Sequence, residues 1–215
     1  EWLIRELSTG PDLKIFLLDV SFADLAADLT SAANIEESGL YRLLVGQSLD
    51  AVGAEPWSAL IGASRWEGTE SSIATARQVA QLAAAAKTPF LSAADATLAG
   101  CRSYADGLDP EDWRSVMSTE AEAAWQAFRE SADAKFFGLA TPGFLARMPY
   151  TPKTSAVELF FFDELDHPER NAGYLWGNSA FACAYLLGEA YEEAAWSMRP
   201  AEHRELRGLP FFIYE

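Results

Sequence analysis

The sequence predicts an α/β fold: a layered sandwich with a mostly parallel sheet flanked by helices. Two observations point there. Short apolar runs suited to buried strands alternate with longer stretches whose apolar residues recur at helical spacing. Half of the 215 residues are hydrophobic and 13% are aromatic, enough to build a sizeable core.

Residues 13–20 (LKIFLLDV) form the first buried-strand candidate. Ser21, with Asp24 three residues on, is close to a capping box and opens a helix over 22–33, with Phe22, Leu25, Ala26 and Leu29 on one face. A short helix covers 39–48. Residues 57–66 (WSALIGASRW) are the next strand. Gly68 and Thr69 break it and open a helix over 70–87, whose face Ile73, Ala76, Ala80 and Ala83 keeps helical spacing. Pro89 introduces a strand over 90–93.

Asp109, Pro110, Glu111 and Asp112 supply an N-cap, a first-turn proline and acids near the positive end of the dipole, so another helix starts there. Thr119 and Glu122 read as a capping box for a helix ending near 131. Strands are expected at 136–140 and 157–162 (VELFFF). Asn178 caps the last helix, 179–196, with Cys183, Leu187, Ala190, Tyr191 and Ala194 on one face. Residues 209–214 close as a strand. The alternation predicts one compact α/β unit over 1–215, with one candidate internal boundary at 148–153, where Pro149 and Pro152 fall. The start, Glu1-Trp2-Leu3, looks like the end of a helix without a start methionine, so the chain is read as a fragment of a longer protein.

The formal net charge is −16, from 32 acidic and 16 basic residues. Such a chain repels phosphate backbones and anionic membrane surfaces, so neither nucleic acid nor membrane is expected as a partner. No apolar run approaches the roughly 20 residues that a membrane helix needs. Cys101 and Cys183 stand far apart without a CxxC or Cys/His cluster, which fits a reducing, cytoplasmic setting. Cys183 reads as a small buried hydrophobe.

Chemistry is hard to find. His167 lies among Asp163, Glu164, Asp166 and Glu169; this acidic loop is either a metal or His–carboxylate site or a solvated surface, and a lone histidine favours the surface. His203, between Glu202 and Arg204, reads as exposed. No GxSxG, P-loop or GxGxxG string occurs. Asp19 ends a strand, where α/β enzymes place catalytic groups, but no partner residue stands out, and a strand terminator explains it as well. An α/β ligand-binding or hydrolase-like domain using Asp19 or the 163–169 acids is the alternative reading. The string Tyr174, Leu175, Trp176, Gly177, Asn178 could mark an aromatic cleft. A mechanical account covers it residue by residue: Gly177 turns, Asn178 caps, and Tyr174 and Trp176 pack nearby. Catalytic, cofactor and metal residues are therefore expected to be absent.

That string also opens a resemblance. Residues 174–187 (YLWGNSAFACAYLL) resemble the signature helix start of the type VI secretion contractile sheath large subunit, the TssC/VipB family. Residues 128–150 (FRESADAKFFGLATPGFLARMPY), 55–62 (EPWSALIG) and 83–94 (AAAAKTPFLSAA) resemble further blocks of that family, as do 14–29 and 208–214, all in the family's order. The resemblance implies a structural, non-enzymatic subunit that pairs with a small sheath subunit. Such heterodimers polymerise with further copies into a helical sheath around an inner tube protein. Contraction propels the tube, and a recycling ATPase restores the parts. The resemblance also implies that family members continue past both ends of this stretch.

Overall fold

The computed structural model describes residues 2–7, 12–49, 53, 55–104, 111, 113–152, 161–165 and 173–210. Its first elements are helical: α1 (Trp2–Glu6), α2 (Phe22–Ser31), and a run of short turns in which α3 (Gly39–Tyr41) and α4 (Gln47–Leu49) bracket a π-turn, Arg42–Gly46. Ser21 caps α2 by accepting the Asp24 N–H at 3.1 Å. The Asp28 carboxylate accepts the N–H groups of Gly39 and Leu40, so α2 anchors the turn that follows.

Three parallel strands then carry the fold: β1 (Leu60–Trp66), β2 (Phe90–Ala94) and β3 (Phe137–Ala140), in the order β1-β2-β3. Parallel neighbours need crossover connections, and helices supply them. Between β1 and β2 runs α5 (Glu70–Ala85); between β2 and β3 run α6 (Ala96–Ala99) and α7 (Thr119–Arg129). The fold class read from the sequence holds.

Thr69 caps α5, and its buried side, Ile73, Ala76, Val79, Ala80, Leu82 and Ala83, is rich in small residues that allow close approach to the sheet. The helix stops before the expected residue 87 because Lys87 takes the left-handed conformation (φ 55°). The Thr88 N–H then reaches Ala83 O and the Lys87 N–H reaches Ala84 O, a Schellman ending. On α7 the cap is Ser118, which accepts the Ala121 N–H at 3.1 Å, rather than Thr119. The core on this side of the sheet is aromatic. Trp66 meets Phe137 edge-on at 5.0 Å, Phe90 stacks on Phe137 at 5.4 Å, and Phe128 closes against Phe137 at 5.5 Å. The α2 helix joins through Phe22, edge-on to Trp66, and through Leu29 O, which accepts from the Gln78 amide.

After β3 the chain forms β4 (Phe144–Leu145), which pairs antiparallel with β5 (Trp176–Gly177). Next comes α8 (Ser179–Ala194), which packs against all three strands of the parallel sheet. Ala180 and Ala190 are fully buried in α8. Helix α1 docks on α8, and Trp2 contacts the rings of Phe144 and Tyr185.

Several expectations are corrected. Residues 13–20 form neither helix nor strand and belong to no sheet in the described structure, and Phe16, Leu17, Leu18 and Val20 are exposed. An apolar run sets a preference for burial, but a strand also needs a neighbour with which to form a ladder. Residues 113–116 are irregular rather than helical, and the start read at Asp109 and Pro110 lies outside the described residues. Of the strand read at 157–162, only Phe161 and Phe162 are described; both are exposed and neither is in a strand. Residues 209 and 210 are irregular, and the rest of that closing strand lies outside the described residues. The last helix ends at Ala194, because Ala195 takes φ 48°. Ala194, placed on the apolar face, is exposed.

Candidate functional site

In an open α/β sheet, ligands gather at the carboxyl ends of the strands. Here several of the polar groups at those ends bond to the backbone. Beyond β2, Asp95 caps α6 by accepting the Thr97 N–H at 3.0 Å, and the Thr97 hydroxyl in turn accepts the Gly68 N–H at 3.0 Å. Beyond β1, the Glu67 N–H donates to the Ser72 hydroxyl. At β3, the Ser179 hydroxyl donates to Ala140 O at 2.6 Å. The nearby hollow is lined mainly by apolar groups, Trp66, Ile73, Ala76, Leu98, Trp125 and Phe137 among them. Trp66 Nε1 is buried without a partner, but an indole N–H only donates and cannot serve as an acid or base.

The aromatic string sits where the two sheets meet. Tyr174 is buried, while Leu175 and Trp176 are 50% and 43% exposed. Gly177 pairs with Phe144, and a Cβ there would lie 2.5 Å from the Phe144 ring. Asn178 uses both ends of its amide. Its Oδ1 accepts the Ala180 N–H at 2.8 Å and caps α8. Its Nδ2 donates to Ala63 O at 2.8 Å and to Ser64 O at 3.4 Å.

Those carbonyls belong to an irregularity in β1. Ile61 faces Leu91 and Arg65 faces Ala93, so three β1 residues stand opposite Ser92 alone. The Ser92 hydroxyl donates to Gly62 O and Ser64 O, and Asn178 takes what remains. Sequence reasoning identified the cap and missed the link to β1. A signal existed: among the good capping residues, Asn alone among Ser, Thr, Asp and Asn pairs its acceptor with an amide donor.

The acidic loop resolves differently. Glu164 forms a two-pronged ion pair with Arg147, at 2.6 and 2.7 Å, and accepts the Tyr150 N–H at 2.9 Å. The Arg147 guanidinium also stacks over the Tyr150 ring at 4.1 Å. Hydrogen bonding from Arg147, then from the Tyr150 backbone, holds the Glu164 carboxyl down at about 2. The same hydrogen bond raises the Arg147 pKa. A carboxylate held this way is a brace and a poor proton carrier near neutral pH. Asp163 is exposed; Asp166, His167 and Glu169 lie outside the described residues. Asp19 is exposed, in the irregular segment before α2.

His203, read as exposed, is half-buried, with Nε2 3.3 Å from Glu193. Cys101 is buried and Cys183 half-buried, and burial raises the Cys183 pKa. The Tyr185 hydroxyl donates to Glu189 at 2.6 Å, and that bond pushes its pKa up to about 12. The pair went unread in the sequence, although four-residue spacing on a helix brings such groups together. Among the described residues no group of three or more His, Cys, Asp or Glu could hold a metal, and no helix is long and apolar enough to cross a membrane.

Two comparisons bear on this arrangement. Residues 1–209 match the VipB family, described as EvpB/VC_A0108, tail sheath N-terminal domain. The type VI secretion system sheath protein TssC1 of Pseudomonas aeruginosa is 30% identical over 214 residues, covering 97% of this chain and 43% of that protein. The chain therefore spans less than half the length of that relative.

Proposed function

The chain belongs to the VipB tail sheath family of type VI secretion systems, and we propose that it serves as a structural part of the large subunit of a contractile sheath. In this reading it pairs with a small sheath subunit, and the pairs polymerise helically around an inner tube in the cytoplasm. Contraction propels the tube, and an ATPase recycles the subunits. The protein is not an enzyme. The observation that carries the reading is the family match along residues 1–209.

Two physical features support it. The strand ends, where an α/β enzyme keeps its chemistry, are occupied by caps and backbone bonds. Large apolar side chains stand in solvent, among them Leu17 at 83%, Phe161 at 82% and Trp196 at 73% exposed, as expected of a surface that meets other subunits. Contacts that repeat without closing make a helical filament. A sheath that contracts needs interfaces with two stable arrangements rather than a pocket.

Co-expression with the small sheath subunit tests the proposal. The two are expected to co-elute at a fixed ratio from a sizing column. Elution of the small subunit apart from a well-folded partner would contradict it.

A further inference from the structure

Beyond the last turn of α8 stands an aromatic side chain with little to hold it. The helix stops at Ala195, whose backbone (φ 48°, ψ −137°) lies where L side chains are rarely found. The next residue, Trp196, is 73% exposed, and its one ring contact among the described residues is Tyr191, edge-on at 5.4 Å. Ala194 and Ala195 beside it are exposed as well. An indole face is the ring that attracts a cation best. Two rings of this protein have such a partner, Phe136 under Lys135 and Tyr150 under Arg147, and Trp196 does not.

The charges around this ring say what covers it. The carboxyl end of a helix is its negative pole, yet α8 ends on Glu189, Glu192 and Glu193 and contains no Lys or Arg. Glu189 accepts the Tyr185 hydroxyl at 2.6 Å, and Glu193 lies 3.3 Å from His203 Nε2. Glu192 is exposed and has no ion-pair partner among the described residues. The Tyr185 hydroxyl, pushed up to about 12 first by its bond to Glu189 and then by burial, also feels the charges of Glu6 and Glu192, so α1 adds a carboxylate to this region. The nearby bases are engaged elsewhere: Arg5 with Glu6 at 3.3 Å, Arg199 with Glu202 at 3.2 Å, Arg207 with Glu205 at 3.3 Å, and Arg204 with the Ala201 carbonyl. A second copy of a chain that carries −16 is repelled from such a surface, as are nucleic acids and anionic membranes. A basic protein surface is attracted to it.

We propose that the exposed end of α8 is a docking surface for a basic polypeptide segment of a partner protein, whose arginine or lysine side chains meet the Trp196 ring and the Glu192 carboxylate. The incoming cations supply the compensation that the end of α8 lacks, and the Tyr191–Trp196 pair supplies apolar contact for the stems of those side chains. The proposal rests on this chain alone and stands whether or not the chain assembles into a sheath.

Calorimetric titration of the full-length protein containing this chain with a capped, helical arginine–leucine peptide tests it. Wild type should bind at low salt and more weakly as salt rises. Trp196→Ala should bind at least about tenfold more weakly while melting at the wild-type temperature, because the ring it removes is exposed. Glu192→Gln should bind more weakly than wild type and with a shallower dependence on salt. A glutamate–leucine peptide of the same length should not bind. Three results would overturn the proposal: no binding of the arginine–leucine peptide by wild type, equal affinity in wild type and Trp196→Ala, or equal binding of the glutamate–leucine peptide. A Trp196→Ala variant that melts well below wild type without any peptide would also overturn it, since the ring would then be covered by another part of the same protein.

Discussion

Asn178 joins two elements with one side chain, capping α8 and holding the Ala63 carbonyl of β1. Asn178→Ala removes a cap worth about 1 kcal/mol and leaves a carbonyl without its donor, at a further cost of about 1 kcal/mol. The melting temperature should fall by roughly 4–8 °C in a domain of this size. Asn178→Asp separates the two roles: it keeps the acceptor but turns a carboxylate toward the β1 carbonyls. It should melt at or below the alanine variant; a melt equal to wild type would show that the link to β1 contributes nothing. Lys87 sits at the left-handed position of a Schellman ending, where a side chain is strained. Lys87→Gly should therefore stabilise by about 1 kcal/mol, measured by urea titration, and destabilisation would argue that the lysine makes a compensating contact. Glu164 is held down at about 2, against a usual 4.5. A depressed carboxylate contributes stability that is present above 4.5 and lost as pH falls through 2. Wild type should thus lose melting temperature more steeply than Glu164→Gln between pH 5 and pH 2.5. Parallel curves would mean that the Arg147 brace does not hold in solution.

At the scale of elements, β1 depends on close approach. A Cβ on Gly62 would lie 2.5 Å from the Phe90 ring and 2.9 Å from the Ser92 hydroxyl. Gly62→Ala should push Phe90 off its stack with Phe137, at a cost of about 1–3 kcal/mol in urea unfolding. An unchanged midpoint would mean that this irregular stretch of β1 relaxes freely. The elements legible in the sequence were those with two agreeing signals. The α5 and α8 helices had both a cap and an apolar face, and β2 had an apolar run behind a proline. Where one signal stood alone, the reading drifted. Ser118 and Thr119 are adjacent hydroxyls, and only extended backbone at Ser118 (φ −65°, ψ 158°) decides which of them caps α7. Composition put Glu164 in a solvated loop, because nothing local reveals an arginine 17 residues upstream. The double role of Asn178 spans 115 positions, which periodicity cannot see.

At the scale of the molecule, the charge of −16 and the exposed apolar groups describe a surface that repels its own copies at long range yet offers apolar contact area at short range. This combination suits assembly with a partner that supplies complementary charge. The central claim, that the chain is a building block of a contractile sheath, is tested most directly by electron microscopy. The full-length protein containing this chain, co-expressed with its small sheath subunit, should yield hollow helical tubes that neither protein forms alone. A stable, folded pair of proteins that yields no tubes and no complex would contradict it.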